Sequence, residues 1–170
     1  MRWRRLFPVL LMIWPYILWF MKDLEHETAV SVIVILYLIL TAILYVANIF
    51  NACTYRGERV VYELALFNML MKLVHIPFYL FVFLIGVVFL FASVVPALLF
   101  VTPMVIFHLF IIDVLLMLTS SMYGINAILR ARKTGIVTNK FAVVHCLLHC
   151  FFVTDVISSI VVFVKLRKSR

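Results

Sequence analysis

The chain alternates between long apolar runs and short polar segments. The apolar runs cover residues 6–21, 29–52, 73–92, 104–129 and 141–164. A helix needs about 20 apolar residues to cross a hydrocarbon core about 30 Å thick. The last four runs reach this length, whereas the first is shorter and contains Pro8 and Pro15. The pattern predicts an all-α polytopic membrane bundle of five transmembrane helices in one domain, or four if the first run does not span.

Polar and turn-forming residues separate these runs. The segment CTYRGERVVYE, residues 53–63, predicts a turn, and Pro96 and Pro103 indicate a reversal between the third and fourth runs. We interpret residues 60–74 as an interfacial helix or as the start of the third span. The first run follows MRWRR as in a signal peptide. No small-x-small cleavage site comes after it, so we expect it to remain as an anchor.

The composition excludes an ordinary soluble domain. Hydrophobic residues make up 67% of the chain and charged residues 13%, against about 45–50% and about 25% in soluble domains. The three cysteines, Cys53, Cys146 and Cys150, all fall toward one predicted side, so no disulfide framework is indicated.

The formal net charge of +8 comes from short basic clusters between the apolar runs. Such clusters are typical of topology signals and of contacts with lipid headgroups. A nucleic-acid binder would need a continuous basic surface and a recognition motif, and neither is evident. We therefore expect the lipid bilayer, and no nucleic acid, as a partner.

The distribution of Lys and Arg predicts the orientation. With a cytoplasmic N-terminus, five spans place nine of these residues inside and five outside, and the acidic loop KDLEHE falls outside. The basic tail KLRKSR also falls outside, which conflicts with this arrangement. Either the tail is external, or one of the five runs does not cross.

Polar side chains form a stripe in the last run. At 100° per residue, one arc of about 120° holds His145, His149, Asp155 and Ser159. Ionisable groups in a membrane usually face the bundle interior. We therefore expect this stripe to meet protein.

The fourth run carries a matching face. It contains Asp113 together with Ser120 and Gly124, a small-x-x-x-small pair that permits close helix packing. If the last two runs form an antiparallel hairpin, Asp113 and Asp155 lie at nearly the same depth, and His149 lies level with Ser121. Two close carboxyl groups would share a proton or a cation. The alternative, which we favour, is that each carboxyl is neutral and serves packing.

A further polar stripe lies at helical spacing in the segment leading into the third run. Its members are Asn68, Lys72, His75 and Tyr79. We favour an interfacial helix in which Lys72 extends to the headgroups. The alternative is that Lys72 is the counter-charge of an Asp.

Catalytic and metal motifs are weak. No HExxH, GxSxG or glycine-rich phosphate loop occurs, so we expect neither an enzyme nor a cofactor. The weak metal candidates are His145 and His149, with Cys146 and Cys150. These four fan over too wide an arc of one helix to enclose a single ion, and no metal site is predicted.

Three stretches carry a resemblance to known sequences. MKLVHIPFYLFVFLIG (71–86), LTSSMYGINAI (118–128) and FVTDVISSIVVFVKLRK (152–168) resemble a group of small, uncharacterised multi-pass bacterial membrane proteins, a domain of unknown function. The resemblance implies a location in the bacterial plasma membrane and no established activity.

These patterns favour a non-enzymatic membrane module, either transport-related or accessory, with an intramembrane Asp/His face. The alternative is a structural or regulatory subunit that binds another membrane protein or a second copy of the chain. A metal-binding membrane protein is a third, weaker hypothesis.

Overall fold

The computed structural model describes residues 2–21, 27–57 and 59–167, and these ranges contain helices and no strand. The α-helices are α1 (Leu6–Ile13), α2 (Glu27–Thr54), α3 (Val60–Ala92), α4 (Val101–Lys133), α5 (Asn139–Leu148) and α6 (Phe152–Arg167). Short 3₁₀ helices cover Arg2–Arg5, Trp14–Met21 and Pro96–Leu98. The predicted all-α class is confirmed.

Among the described helices, three are long and apolar enough to cross a membrane. They are Ser31–Thr54 within α2, Val60–Ala92 and Val101–Lys133. Most of the α2 surface faces outward. In an apolar stretch of 18 residues within this helix, only 6% of the residues are buried. Among the described elements, α3 and α4 share the most extensive contact.

The first apolar run is extended by its change of helix type. It begins as α1 and continues as the 3₁₀ helix Trp14–Met21, each of eight residues. A 3₁₀ helix rises about 2.0 Å per residue and an α-helix 1.5 Å, so the run is about 28 Å long, compared with about 24 Å if it were all α-helix. Pro8 lies in the first turn of α1, where its missing N–H costs no hydrogen bond.

This first segment packs parallel to α3. Arg5 pairs with Glu63 at 2.5 Å, His75 Nε2 lies 3.0 Å from the Leu11 carbonyl oxygen, and the Trp19 ring contacts Phe81. The three contacts follow each other in the same order along both elements.

The first segment is antiparallel to α2. The Asn51 amide donates to the Arg4 carbonyl at 3.0 Å, and Trp14 Nε1 donates to Thr41 at 2.7 Å.

Helix α3 runs without interruption from Val60 to Ala92, and Pro77 lies inside it. Of the two interpretations of residues 60–74, the structure therefore agrees with the start of the third helix and not with a separate interfacial helix. The polar face of α3 does not need an interface with lipid headgroups, because Asn68, Lys72 and His75 are each fully buried.

The last apolar run is not one helix, so the prediction of a continuous span over 141–164 is wrong. Helix α5 ends at Leu148, and α6 begins at Phe152. His145 Nδ1 lies 2.8 Å from Ser158 Oγ, whereas 13 residues of straight α-helix would separate these positions by about 20 Å. Helices α5 and α6 thus fold back on each other. We call them the α5–α6 hairpin, with residues 149–151 as its tip.

Ring contacts give the direction of α6. At its start, Phe152 contacts Tyr79, and near its end Phe163 contacts Tyr62, each with ring centroids 5.6 Å apart. Helix α6 is therefore antiparallel to α3 and returns to the end of the bundle where α3 begins.

That end, which we call the basic end, gathers the positive charges. Arg130 ties the end of α4 to the α2–α3 turn by donating to the carbonyl oxygens of Tyr55 at 2.6 Å and Cys53 at 2.7 Å. The described basic residues of the loops and helix termini there are Arg4, Arg5, Arg56, Arg59, Arg130, Arg132, Lys133, Lys140, Lys165 and Arg167.

Candidate functional site

A fully buried lysine lies at the centre of the bundle. Lys72 on α3 has no exposed side-chain surface. Its ammonium group donates to the Met117 carbonyl oxygen and to Ser121 Oγ, both at 2.8 Å on α4, and forms an ion pair with Asp155. A lysine ammonium has three donors. All three are therefore used within the protein.

Asp155 joins the lysine to the hairpin tip. One carboxylate oxygen pairs with Lys72, and the other lies 2.6 Å from His149 Nδ1. An ionised carboxylate only accepts hydrogen bonds, so Nδ1 of His149 carries the hydrogen in this contact. Ser121 Oγ lies 3.3 Å from the same carboxylate oxygen. Asp155 also lies in the first turn of α6, where the helix dipole favours a negative charge.

The tip backbone is held against α4. Ser121 Oγ also lies 3.3 Å from the His149 carbonyl oxygen, and Thr154 Oγ1 donates to the Leu148 carbonyl oxygen at 3.0 Å. Thr154 thus satisfies a carbonyl group at the end of α5, where helical partners are lost, whereas the single hydroxyl hydrogen of Ser121 has its shortest acceptor in the Met117 carbonyl oxygen at 2.7 Å. The contact of Ser121 with His149 agrees with the equal depth expected for these two residues.

The absence of a side chain at Gly124 leaves room for two buried polar side chains, those of Asn68 and His149. A Cβ atom at this position would lie 2.5 Å from Asn68 Nδ2 and 2.7 Å from His149 Nε2. Both side chains are fully buried. The Asn68 amide atoms and His149 Nε2 have no hydrogen-bond partner in the described part of the chain. His149 therefore contacts Asp155 through Nδ1, while its Nε2 lies beside Gly124, as does the unsatisfied Asn68 amide.

The remaining polar residues of the last run serve the hairpin. His145 contacts Ser158 across the two helices, and Ser159 donates to the Val156 carbonyl oxygen at 2.7 Å. Cys146 is partly exposed and Cys150 exposed, and both are free thiols. Among the described residues, no group of three or more His, Cys, Asp or Glu side chains is arranged to hold a metal ion.

The predicted Asp113–Asp155 pair is not formed. Asp155 faces Lys72 and His149, whereas Asp113 lies apart, half-buried, with Oδ1 lacking a hydrogen-bond partner. The physical reason is the ion pair, because a lysine on α3 neutralises Asp155 and removes its need for a shared proton. Ser120 and Gly124 are both fully buried on α4.

The preferred interpretation of Lys72 as a headgroup contact is also wrong. Its ammonium is enclosed by α4 and by the hairpin, and Asp155 is the counter-charge that the alternative required. His75 and Tyr79, from the same stripe, lie near Lys72 on α3. His75 contacts the Leu11 carbonyl and the Tyr79 ring, and the Tyr79 hydroxyl has no hydrogen-bond partner in the described structure.

Sequence reasoning missed a second buried polar network. The Tyr123 hydroxyl donates to Asn48 Oδ1 at 2.9 Å and accepts from Asn51 Nδ2 at 3.0 Å, which links α2 to α4. The available signal was the pair of asparagines three residues apart in an otherwise apolar run, since such a spacing puts both on one helix face. Their hydrogen bonds indicate a packing role.

Comparison with known families gives one result. The model of a family of unknown function (DUF6652) matches residues 5–168. The chain belongs to this family. The match covers every residue of the Lys72–Asp155–His149 cluster and confirms the resemblance to an uncharacterised family. The searches of curated proteins and of solved structures give no match.

The ion pair gives a first prediction. Replacing Lys72 by Met should lower the free energy of unfolding by about 3–5 kcal/mol, because Asp155 is left as an unpaired buried charge. The double variant Lys72→Met with Asp155→Asn should recover most of this loss, because neither charge remains and the Asn can still accept from His149. Unfolding of purified protein in detergent measures both.

Lys165→Met, at an exposed lysine of the basic end, is the matched control and should change stability by less than about 0.5 kcal/mol. A Lys72→Met variant as stable as the wild type would contradict the assignment.

Gly124 gives a second prediction. Gly124→Ala should lower the free energy of unfolding by about 1–3 kcal/mol, the usual cost of overpacking a core, because Asn68 and His149 must both move. Gly86→Ala is the control, since a Cβ at Gly86 meets nothing within 4 Å and should not be destabilising. Equal unfolding energies for the two variants would rule out the tight contact.

Proposed function

We propose that the protein is an integral membrane protein with four crossing segments and one re-entrant hairpin. The crossing segments are the first segment (residues 6–21) and helices α2, α3 and α4. Large apolar side chains on the outer surface support this arrangement, among them Phe50, Phe91 and Phe100, which are 69%, 73% and 83% exposed. Soluble proteins rarely expose contiguous apolar surface on this scale.

The hairpin removes the conflict over the basic tail. Because α6 turns back, Lys165 and Arg167 lie at the same end as the other described basic residues of the loops and termini. By the positive-inside rule, this basic end belongs on the cytoplasmic side. The N-terminal segment lies there too, as the contact of Arg5 with Glu63 indicates.

Within this arrangement, we propose that the protein is a proton-linked transport module. The observation that carries the proposal is the fully buried cluster of Lys72, Asp155 and His149 at the tip of a hairpin that stops half-way through the bundle. Irregular backbone at membrane depth is tolerated only where it is buried in protein or lines a cavity. Ionisable groups at that depth are costly and commonly mark ion or proton pathways.

The cluster has the parts of a proton relay. His149 contacts Asp155 through Nδ1, while Nε2 faces Asn68. An imidazole can take up a proton on one nitrogen and release the proton of the other. Protonation of Asp155 removes its attraction to Lys72, which loosens the hairpin tip from α3 and α4. Proton movement and opening of the hairpin are thereby coupled.

Proton flux in proteoliposomes tests this function. With a pH-sensitive dye inside and an imposed membrane potential, the wild type should acidify or alkalinise the lumen faster than empty liposomes. Asp155→Asn should abolish this flux, because the carboxyl group that links Lys72 to His149 is gone. Glu63→Gln, which removes a carboxyl group outside both the cluster and the lining of the apolar cavity between α3, α4 and α6, should retain it.

The folded double variant Lys72→Met with Asp155→Asn separates loss of function from loss of fold. It should remain folded and carry no flux. Wild-type flux through either Asp155 variant would disprove the proposal, as would a wild-type protein whose flux equals that of empty liposomes.

A further inference from the structure

An apolar cavity occupies the part of the bundle that the hairpin leaves unfilled. It lies between α3, α4 and α6 and has a volume of about 910 Å³. Two walls of the cavity extend away from the basic end and are formed by α3 (residues 76–90) and α4 (residues 106–113). Its floor lies beside the hairpin tip and is formed by Phe152 and Val153. A last helix that crossed the whole bundle would have continued beyond this floor. The shortness of the hairpin therefore accounts for the cavity.

Two residues that carry unsatisfied polar atoms line this apolar space. Asp113 and Tyr79 both line the cavity, and Asp113 Oδ1 and the Tyr79 hydroxyl are buried without hydrogen-bond partners among the described residues. In the described ranges of the chain, no lysine, arginine or histidine lines the cavity. The site thus contains a carboxyl group with no cationic partner from the protein.

Aromatic rings surround the same space. Tyr79 and Phe83 come from α3, Phe110 from α4 and Phe152 from α6. The faces of such rings attract cations, most strongly where water is excluded. Cavities of about 300–1,000 Å³ with apolar walls and a few polar groups are typical of small-molecule sites.

We propose that this cavity binds a lipophilic cation, with Asp113 as the counter-charge and the aromatic rings as the walls. The complementary charge is what selects this occupant over a lipid acyl chain or an apolar helix of a second copy, neither of which would satisfy the carboxyl group. That such a cation is exchanged for protons rests on the proposed function above. Its binding does not, because occupancy of the cavity requires no proton flux.

A pair of probe ions of matched size and opposite charge tests the proposal. Tetraphenylphosphonium and tetraphenylborate have nearly the same shape, so their binding to the detergent-solubilised full chain separates charge from hydrophobicity. We expect the phosphonium ion to bind with a Kd at least about tenfold lower than that of the borate ion, as a single well-placed charge contact allows.

Three variants locate the site. Asp113→Asn should raise the Kd for the phosphonium ion about tenfold or more and leave borate binding no weaker. Glu63→Gln, which removes a carboxyl group near the basic end, should leave both Kd values within about twofold. Gly86→Leu should weaken binding of both ions, because Gly86 lines the cavity and an added side chain enters open space there.

Equal binding of the two ions to the wild type would overturn the proposal in favour of an acyl chain or an apolar helix. Absence of phosphonium binding, or unchanged binding by Asp113→Asn, would also overturn it. The comparison of the two ions on the wild type holds even if one variant fails to fold. Phosphonium binding without proton flux would leave this site standing and remove the transport proposal alone.

Discussion

The pairing of Lys72 with Asp155 is the interaction on which the rest of the structure depends. A lysine buried completely among apolar helices requires a counter-charge, and no other carboxyl group contacts it in the described structure. Asp155 reaches it from the first turn of α6, just beyond the break at residues 149–151. The cost of burying two charges is offset by their mutual attraction and by the donors and acceptors of Met117, Ser121 and His149.

The position of this pair determines two larger features. The tip contacts Lys72 within the length of α3 and stops part-way along the bundle, and α6 returns toward the basic end. Beyond the tip, on the side away from the basic end, the groove between α3 and α4 then remains open. This open part of the groove is the cavity that Asp113 lines. The charge cluster and the cavity are thus neighbours, and both are related to the short hairpin. Tyr79 lies between them, because its ring contacts Phe152 and it also lines the cavity.

The long helices could be predicted from the sequence because each is a sustained apolar run bounded by polar turns. The division of the last run could not be predicted in the same way. Residues 149–151, His-Cys-Phe, contain neither glycine nor proline, and their apolar neighbours suit a continuous helix as well as a broken one. The decisive partner, Lys72, lies far away along the chain, and no local pattern links it to Asp155.

One signal in the sequence did point to the hairpin. The basic tail fell on the wrong side of a five-span arrangement, which left two alternatives: an external tail, or a run that does not cross. The short first run was the first candidate for a run that does not cross. Its 3₁₀ half, however, lengthens it enough to follow α3 from Glu63 to Phe81. The polar stripe of the last run was the better indication, because His145, His149 and Asp155 are easier to bury at a folded tip than along a full span.

Cross-linking across the hairpin tests this account most directly. In a protein whose native cysteines are replaced by alanine, His145→Cys and Ser158→Cys should be joined by a short bifunctional thiol reagent, with the linked peptides identified by mass spectrometry. Leu36→Cys with Ile49→Cys has the same spacing on the continuous helix α2 and should not be joined. Cross-linking of the first pair alone is the result that the account predicts. Failure of the first pair to cross-link, in protein that remains folded, would mean that the last run is a straight helix and would contradict the account.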